Sequence, residues 1–204
     1  MVTARGVLDR SASAAIATLL RRRGVHVGLD PRFLGRPVVS VVPGSALRIG
    51  DRLMAISRST STALGVAHPV VLRTLRPGAR LDIGNDVGIS GGSICAALRV
   101  TIGDGTLLGA DTVVVDTDFH PVDHPDRRHA ALPVPRERDA VTIGRNVFLG
   151  ARVTVLRGSW IGDGAVVGAG CVVRGRVESG AVVMGEPPRT VRVLGGHAHP
   201  VGPR

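Results

Sequence analysis

Apolar residues recur every six positions through much of this chain: Ile83, Ile89 and Cys95, then Ile102, Leu108 and Val114, then Ile143, Leu149, Val155, Ile161, Val167 and Val173. A small residue usually follows each one. A period of six fits neither the 3.6 of a helix nor the 2 of a simple strand. It belongs to a parallel β-helix, in which one hexad makes a short strand and a tight turn and three hexads close a triangular coil. Residues eighteen apart should then stack, Ile143 on Ile161 and Leu149 on Val167. The fold class expected is all-β, a coil of hexapeptide repeats.

The polar positions reinforce the beat. Ile83-Gly84-Asn85-Asp86, Ile102-Gly103-Asp104-Gly105, Ile143-Gly144-Arg145-Asn146 and Ile161-Gly162-Asp163-Gly164 each put Gly, Asn or Asp where a corner needs tight or positive-φ backbone. Ile49-Gly50-Asp51-Arg52 is a fifth copy, so the coil begins well before residue 80. The stretch from Ala55 to Ala79 breaks the beat and reads as a loop. Between the coils beginning at Ile83 and Ile102 the spacing is nineteen, and a one-residue bulge near Arg99 accounts for it.

The one apolar run before the coil, Ala14 to Leu20, predicts a short helix with Ser11 or Ser13 as N-cap and Arg21-Arg22-Arg23 before the stop at Gly24. Two roles fit it: a cap over unpaired strand edges at the coil's open end, or a basic amphipathic anchor making weak contact with a membrane surface. The segments expected are therefore an N-terminal helical segment over 1–30, the β-helix over 31–194 and a flexible tail over 195–204. With 204 residues, the coil accounts for most of a single elongated domain.

Charge and composition narrow the function. All 26 basic side chains are Arg, and the formal net charge is +10. With no Tyr, one Trp and three Phe, the chain lacks stacking platforms, so nucleic acid is not expected as a partner. A phosphate-bearing cofactor or an anionic acceptor fits the charge better. Cys95 and Cys171 form neither a CxxC pair nor a secreted disulfide pattern, and they are expected as buried thiols in the cytoplasm. No span or signal pattern is evident in the sequence.

The beat predicts an apolar residue at position 120 and the chain supplies His120, after which the repeat vanishes until Ile143. A Pro- and charge-rich loop over about 120–142 must leave the coil at this corner. His120 has Asp116, Asp118 and Asp123 close in sequence. A histidine beside a carboxylate that fixes its tautomer suits proton removal from a hydroxyl, and one that merely anchors the loop by hydrogen bonds fits the spacing equally. His124 and His129 raise a metal site, but no histidine lies on the coils from Ile143 to Val183, so no metal is expected.

The segment from Val100 to Gly105, the root DTDFHPVDHPDRR, the block VTIGRNVFLGARVTVLRGSWIGDGAVVGAGCVVRG and the terminal GEPPRTVR resemble the hexapeptide-repeat O-acetyltransferases of the maltose, galactoside and nodulation-factor type. The earlier LGVAHPVVLRTLRPGARLDIGNDVGISGG resembles the bacterial branch linked to polysaccharide and glycoconjugate acylation. The resemblance implies a left-handed β-helix, a homotrimer, and acetyl-CoA held in the groove between neighbouring coils as donor to a hydroxyl of a sugar, glycoconjugate or glycosylated metabolite. It gives His120 the general base's place and the Ala151 amide the oxyanion's. Phe148 stands where the family usually has Trp. Ala169 matches the close approach to pantetheine, Arg174 a contact on the same cofactor, and Arg189 and Arg192 the basic residues at the CoA phosphates. The family's sugar-binding carboxylate aligns with Ala97, so Asp116 or Asp118 either replaces it or orients His120. His68 and Ser90 are further candidates for the acceptor. A silent β-helix scaffold, or the same chemistry with a longer acyl-CoA, is the alternative.

Overall fold

The computed structural model describes the backbone of residues 4–185 and the side chains of residues 9–185. Among the described residues, twenty short strands, all paired in parallel, form three sheets of seven, seven and six strands. Each sheet takes every third strand in chain order, as a triangular coil requires. The first face runs from His26–Val27 to Arg176–Val177, the second from Arg32–Leu34 to Val182–Val183, and the third from Val38–Ser40 to Val172–Val173.

The stacking follows the beat. Ile143 pairs with Ile161 and Leu149 with Val167, and all four are 1% exposed or less. Ile49, Ile83, Ile102, Ile143 and Ile161 make one inward column on the first face, and Ile89, Leu108, Leu149 and Val167 one on the second. Burying each such side chain contributes about 1.5–3 kcal/mol, so the columns are the main stabilising feature of the coil. At the corner between these faces, Asp51, Asn85, Asp104 and Asp163 each accept, through a side-chain oxygen, an amide N–H from the preceding coil. These polar residues tie successive coils together as the aliphatic columns do from inside.

The third column departs from the expected register. Ile94, not Cys95, is the inward residue, and Val114 stacks on it; Cys95 pairs with Val115 on the outer surface of the third face. The cause is Gly91-Gly92, both at positive φ, which shortens the arc from Ile89 to Ile94. Only glycine fits at position 92, where an added Cβ would collide with the Thr112 carbonyl. Residues Ala97 to Arg99 restore the length, so the bulge near Arg99 exists but answers a deficit upstream. Cys95 and Cys171 are both buried free thiols, and burial pushes the Cys95 thiol up against the opposing charge of Arg73.

Two boundaries also differ. The helix spans Ala4–Arg22, so Ser11 and Ser13 lie inside it rather than at its start. Ser13 Oγ instead accepts from the Phe33 amide at 2.9 Å, and Ala17 and Leu20 are buried against the first coil, as a cap over the strand edges requires. The first strand is at His26, and within the Ala55–Ala79 stretch Val71–Thr74 is a strand of the third face, leaving 57–70 as the loop. The tail 195–204, Arg189 and Arg192 lie outside the described residues.

Candidate functional site

The strand Val113–Val115 is its coil's contribution to the third face, and after it the chain leaves the coil through Asp116, Thr117 and Asp118 before re-entering at Val141–Ile143. Val114 still pairs with Ile94 below and Val155 above, so the coil closes over the insertion without a gap. The inserted loop and its root surround a cavity of about 390 Å³, whose walls include His120, Asp118, Pro121, Pro135, Arg138 and Arg157.

His120 is exposed at the mouth of this cavity. Its Nδ1 lies 3.0 Å from the carbonyl oxygen of Arg127. A carbonyl only accepts, so in the neutral ring Nδ1 carries the proton and Nε2 keeps the lone pair. The tautomer suits proton abstraction, and a backbone carbonyl sets it where a carboxylate was expected. The His120 amide donates to the Asp118 carbonyl at 2.7 Å, closing a γ-turn with Phe119 at φ 61. Positive φ is an outlier for an aromatic residue and costs about 1–3 kcal/mol. The loop's root is thus strained where the histidine is presented.

Asp116 does something other than orient His120. Fully buried, it accepts from the amides of Ala97 at 2.6 Å, Leu98 at 2.7 Å and Arg99 at 2.8 Å. Burial pushes its carboxyl up, against the pull of those three donors. The carboxylate caps the Ala97–Arg99 turn that restores the coil's register, with both its oxygens engaged there. Asp118 pairs with Arg157 at 2.7 Å, and Arg157 also reaches Asp139 at 2.8 Å. Burial opposes the charge on Asp139, but the Arg136 amide and the Arg157 guanidinium outweigh it and hold the carboxyl below its ordinary range.

Ala151 and Ala169 stand at another corner, between the second and third faces. There Arg152 N donates to Ala110 O and Gly170 N to Ala151 O, stacking three alanines in successive coils. Among the described residues the amides of Ala151 and Ala169 have no acceptor. They line a second cavity of about 380 Å³, together with Leu64 and Gly65 of the early loop, which is held there by Ala67 N donating to Asp111 Oδ1 at 2.9 Å. Glycine is required beneath: a Cβ on Gly150 would lie 2.6 Å from the Ala169 nitrogen, and one on Gly109 2.7 Å from that of Ala151.

The other candidates scatter. Phe148 projects from the second face, about half exposed, in a row with Leu107 and Val166. Arg174 is exposed on the corner that carries the loop, between Val172–Val173 and Arg176–Val177. His68 lines a shallow depression on the third face with Phe119, Arg73 and Cys95. Ser90 ends the strand Gly88–Ser90, and its carbonyl accepts from Asp111 N. Among the described residues no group of His, Cys, Asp and Glu is placed to hold a metal ion, and no helix is long and apolar enough to cross a membrane. The sequence reading missed Arg157 and the Phe119 turn. The register carried a signal for the first: Val155 stacks on Val114, so Arg157 must stand above Asp116 and beside Asp118.

Residues 140–175 match the bacterial transferase hexapeptide (six repeats). The chain is 38% identical over 103 residues to the putative lipopolysaccharide biosynthesis O-acetyl transferase WbbJ of Escherichia coli K12, covering 48% of this chain and 53% of that protein. It is 37% identical over 95 residues to the galactoside O-acetyltransferase of the same organism, covering 47% and 44%. A probable acetyltransferase of Mycobacterium tuberculosis, Rv3034c, is 31% identical over 168 residues, 80% of this chain and 52% of that one. The chain thus spans about half the length of these curated relatives. Among solved structures, the N-acyltransferase AntD of Bacillus cereus superposes with a TM-score of 0.58 at 15% identity, covering 86% of this chain and 87% of that one. The shared architecture is the left-handed parallel β-helix.

Proposed function

We propose, from the hexapeptide-repeat match over residues 140–175 and the likeness to O-acetyltransferases, that the chain is a CoA-dependent O-acyltransferase of that family. It moves acetyl from acetyl-CoA to a hydroxyl of a sugar, glycoconjugate or glycosylated metabolite. The observation that carries the reading is His120: its Nδ1 faces a carbonyl, its Nε2 is left basic, and it stands at the mouth of a cavity large enough for a sugar-sized acceptor.

Nε2 takes the acceptor's hydroxyl proton as the oxygen attacks the thioester carbonyl. The tetrahedral oxyanion is met by a backbone amide, for which the N–H of Ala151, without an acceptor among the described residues, is available. Collapse breaks the C–S bond, and the imidazolium returns its proton to the departing thiolate. No acyl-enzyme forms, in keeping with the state of Cys95, buried and with its thiol pushed up. The Ala169 amide and the row at Phe148 would flank the pantetheine arm, while Arg174, Arg189 and Arg192 supply positive charge for the phosphates.

His120 and Ala151 lie at opposite edges of the third face, so one chain does not bring them together. We take the active unit to be a homotrimer in which the loop of one copy meets the alanine corner of the next, giving three sites at three interfaces. Acceptor contacts are assigned to Asp118, His68 and Ser90. Asp116 is assigned to holding the root on which His120 stands. The two buried thiols suit a reducing compartment, and the cytoplasm is the location proposed.

The test is release of CoA from acetyl-CoA in the presence of a panel of methyl glycosides. Wild type should show acceptor-dependent release, and His120→Ala should lower it about 100-fold or more. Release within a few-fold of wild type would sink the assignment of the base, and calorimetry with no saturable acetyl-CoA binding would sink the enzyme itself. Sedimentation at the mass of one chain would remove the trimer.

A further inference from the structure

We propose that Arg157 is a positioning residue that clasps both limbs of the inserted loop and so fixes His120. The kinetic part of the proposal rests on the acyl-transfer reading; the structural part does not.

Arg157 follows the strand Thr154–Val155, one coil beyond the loop's root. Its Nε donates to Asp118 Oδ2 at 2.7 Å on the outgoing limb and its NH1 to Asp139 Oδ1 at 2.8 Å on the returning limb. Asp118 lies two residues before His120, and its carbonyl accepts the His120 amide. Asp139 lies two residues before the coil resumes at Val141; its other carboxylate oxygen accepts the Arg136 amide at 2.7 Å and its carbonyl the Gly158 amide at 2.8 Å. One guanidinium therefore joins the chain leaving the coil to the chain returning to it.

Among the described residues, the other coil arginines that pin the loop hold only its return. Arg76 donates to the Pro133 carbonyl at 2.9 Å, and Arg99 pairs with Glu137. Among the described residues, Arg157 supplies the one coil side chain hydrogen-bonded to residues 117–120. That limb needs an anchor because Phe119 is held at φ 61, a conformation the chain would relax if released. The two acceptors are met by different guanidinium nitrogens, a geometry that a planar fork satisfies and a single ammonium does not.

The experiment uses the full chain as wild type, Arg157→Ala, Arg157→Lys and Asp118→Asn. Amide hydrogen exchange over 118–122 and the ¹⁵N shifts of the His120 ring report the limb and the tautomer without any acceptor. Arg157→Ala and Arg157→Lys should both speed exchange there about tenfold or more and move the ring from the Nδ1–H form toward a mixture, with the coil's unfolding midpoint little changed. In CoA release with the methyl glycosides, kcat should fall about 10- to 100-fold with KM for acetyl-CoA within about twofold. Wild-type exchange and ring shifts in Arg157→Ala would overturn the clasp, and full rescue by Arg157→Lys would replace it with simple charge. Should Arg157→Ala not fold, Asp118→Asn frees one limb alone: faster exchange over 118–122 and a mixed ring tautomer are expected, and wild-type values of both would overturn the clasp. If wild type releases no CoA, the acyl-transfer reading fails while the exchange and ring measurements still decide the clasp.

Discussion

Two corners flank the third face, and they are built on opposite plans. The corner between the second and third faces is made by the near absence of side chains: Ala110, Ala151 and Ala169 stack over glycines that leave no room for a Cβ, exposing bare amides. The corner between the third and first faces is made by side chains: three carboxylates, an arginine and a histidine around a strained turn. The first is part of the coil and inherits its rigidity. The second is added to the coil and must be tied down by charge. Shape and chemistry are therefore carried by different kinds of residue, and substitutions should separate them.

The largest effect is expected where the alanine corner is closed. Gly150→Ala would push a methyl to 2.6 Å from the Ala169 nitrogen, against backbone that cannot step aside. A loss of roughly 3 kcal/mol or more of stability is expected, read as a fall in the urea midpoint; an unchanged midpoint would show the two coils to be less tightly stacked than the structure has them. Next in size, His120→Ala should remove the rate while leaving stability within about 0.5 kcal/mol, because the side chain is exposed; a large drop in melting temperature would mean that the histidine holds the loop. Third, Ala169→Leu fills the groove from an exposed position without touching the core. It should raise KM for acetyl-CoA about tenfold, measured by CoA release, with the urea midpoint kept.

The smallest effect is in acid. Asp139 is held below the ordinary carboxylate range, so its contribution to stability is present above the unfolded pKa and fades as pH falls through the folded one. Protection of the loop from hydrogen exchange, taken relative to the intrinsic rate at each pH, should fall below about pH 4 while that of the aliphatic columns is kept. Asp139→Asn should blunt that acid response, and a loop equally protected at pH 7 and pH 3 would sever the link.

The same contrast explains what could be read from the chain. Ile83, Ile102, Ile143 and Ile161 gave up their stacking directly, because inward positions repeat and the glycines and polar corner residues repeat in step with them. The third column misled at Cys95, since two consecutive positive-φ glycines remove a residue from one arc and the Ala97–Arg99 turn returns it later, so the spacing looks like one simple insertion. His120 was visible as a break in the beat. Its true neighbours were not, because Arg127 meets it through a backbone carbonyl and Asp116 is drawn away by three amides, neither of which leaves a mark in residue type. Arg157 is a near miss: its height on the coil follows from counting, but its reach to Asp118 and Asp139 depends on how a long loop folds back.

Val114 touches Ile94 below and Val155 above as if nothing had been spliced in between. The insertion is thus a tenant of the coil rather than a member of it, and sequence drift there can proceed without renegotiating the foundation. A library randomised over 121–135, leaving His120, Asp118, Asp139 and Arg157 in place, should yield mostly folded proteins, a store of variation from which new acceptor preferences could be drawn while the scaffold stays fixed.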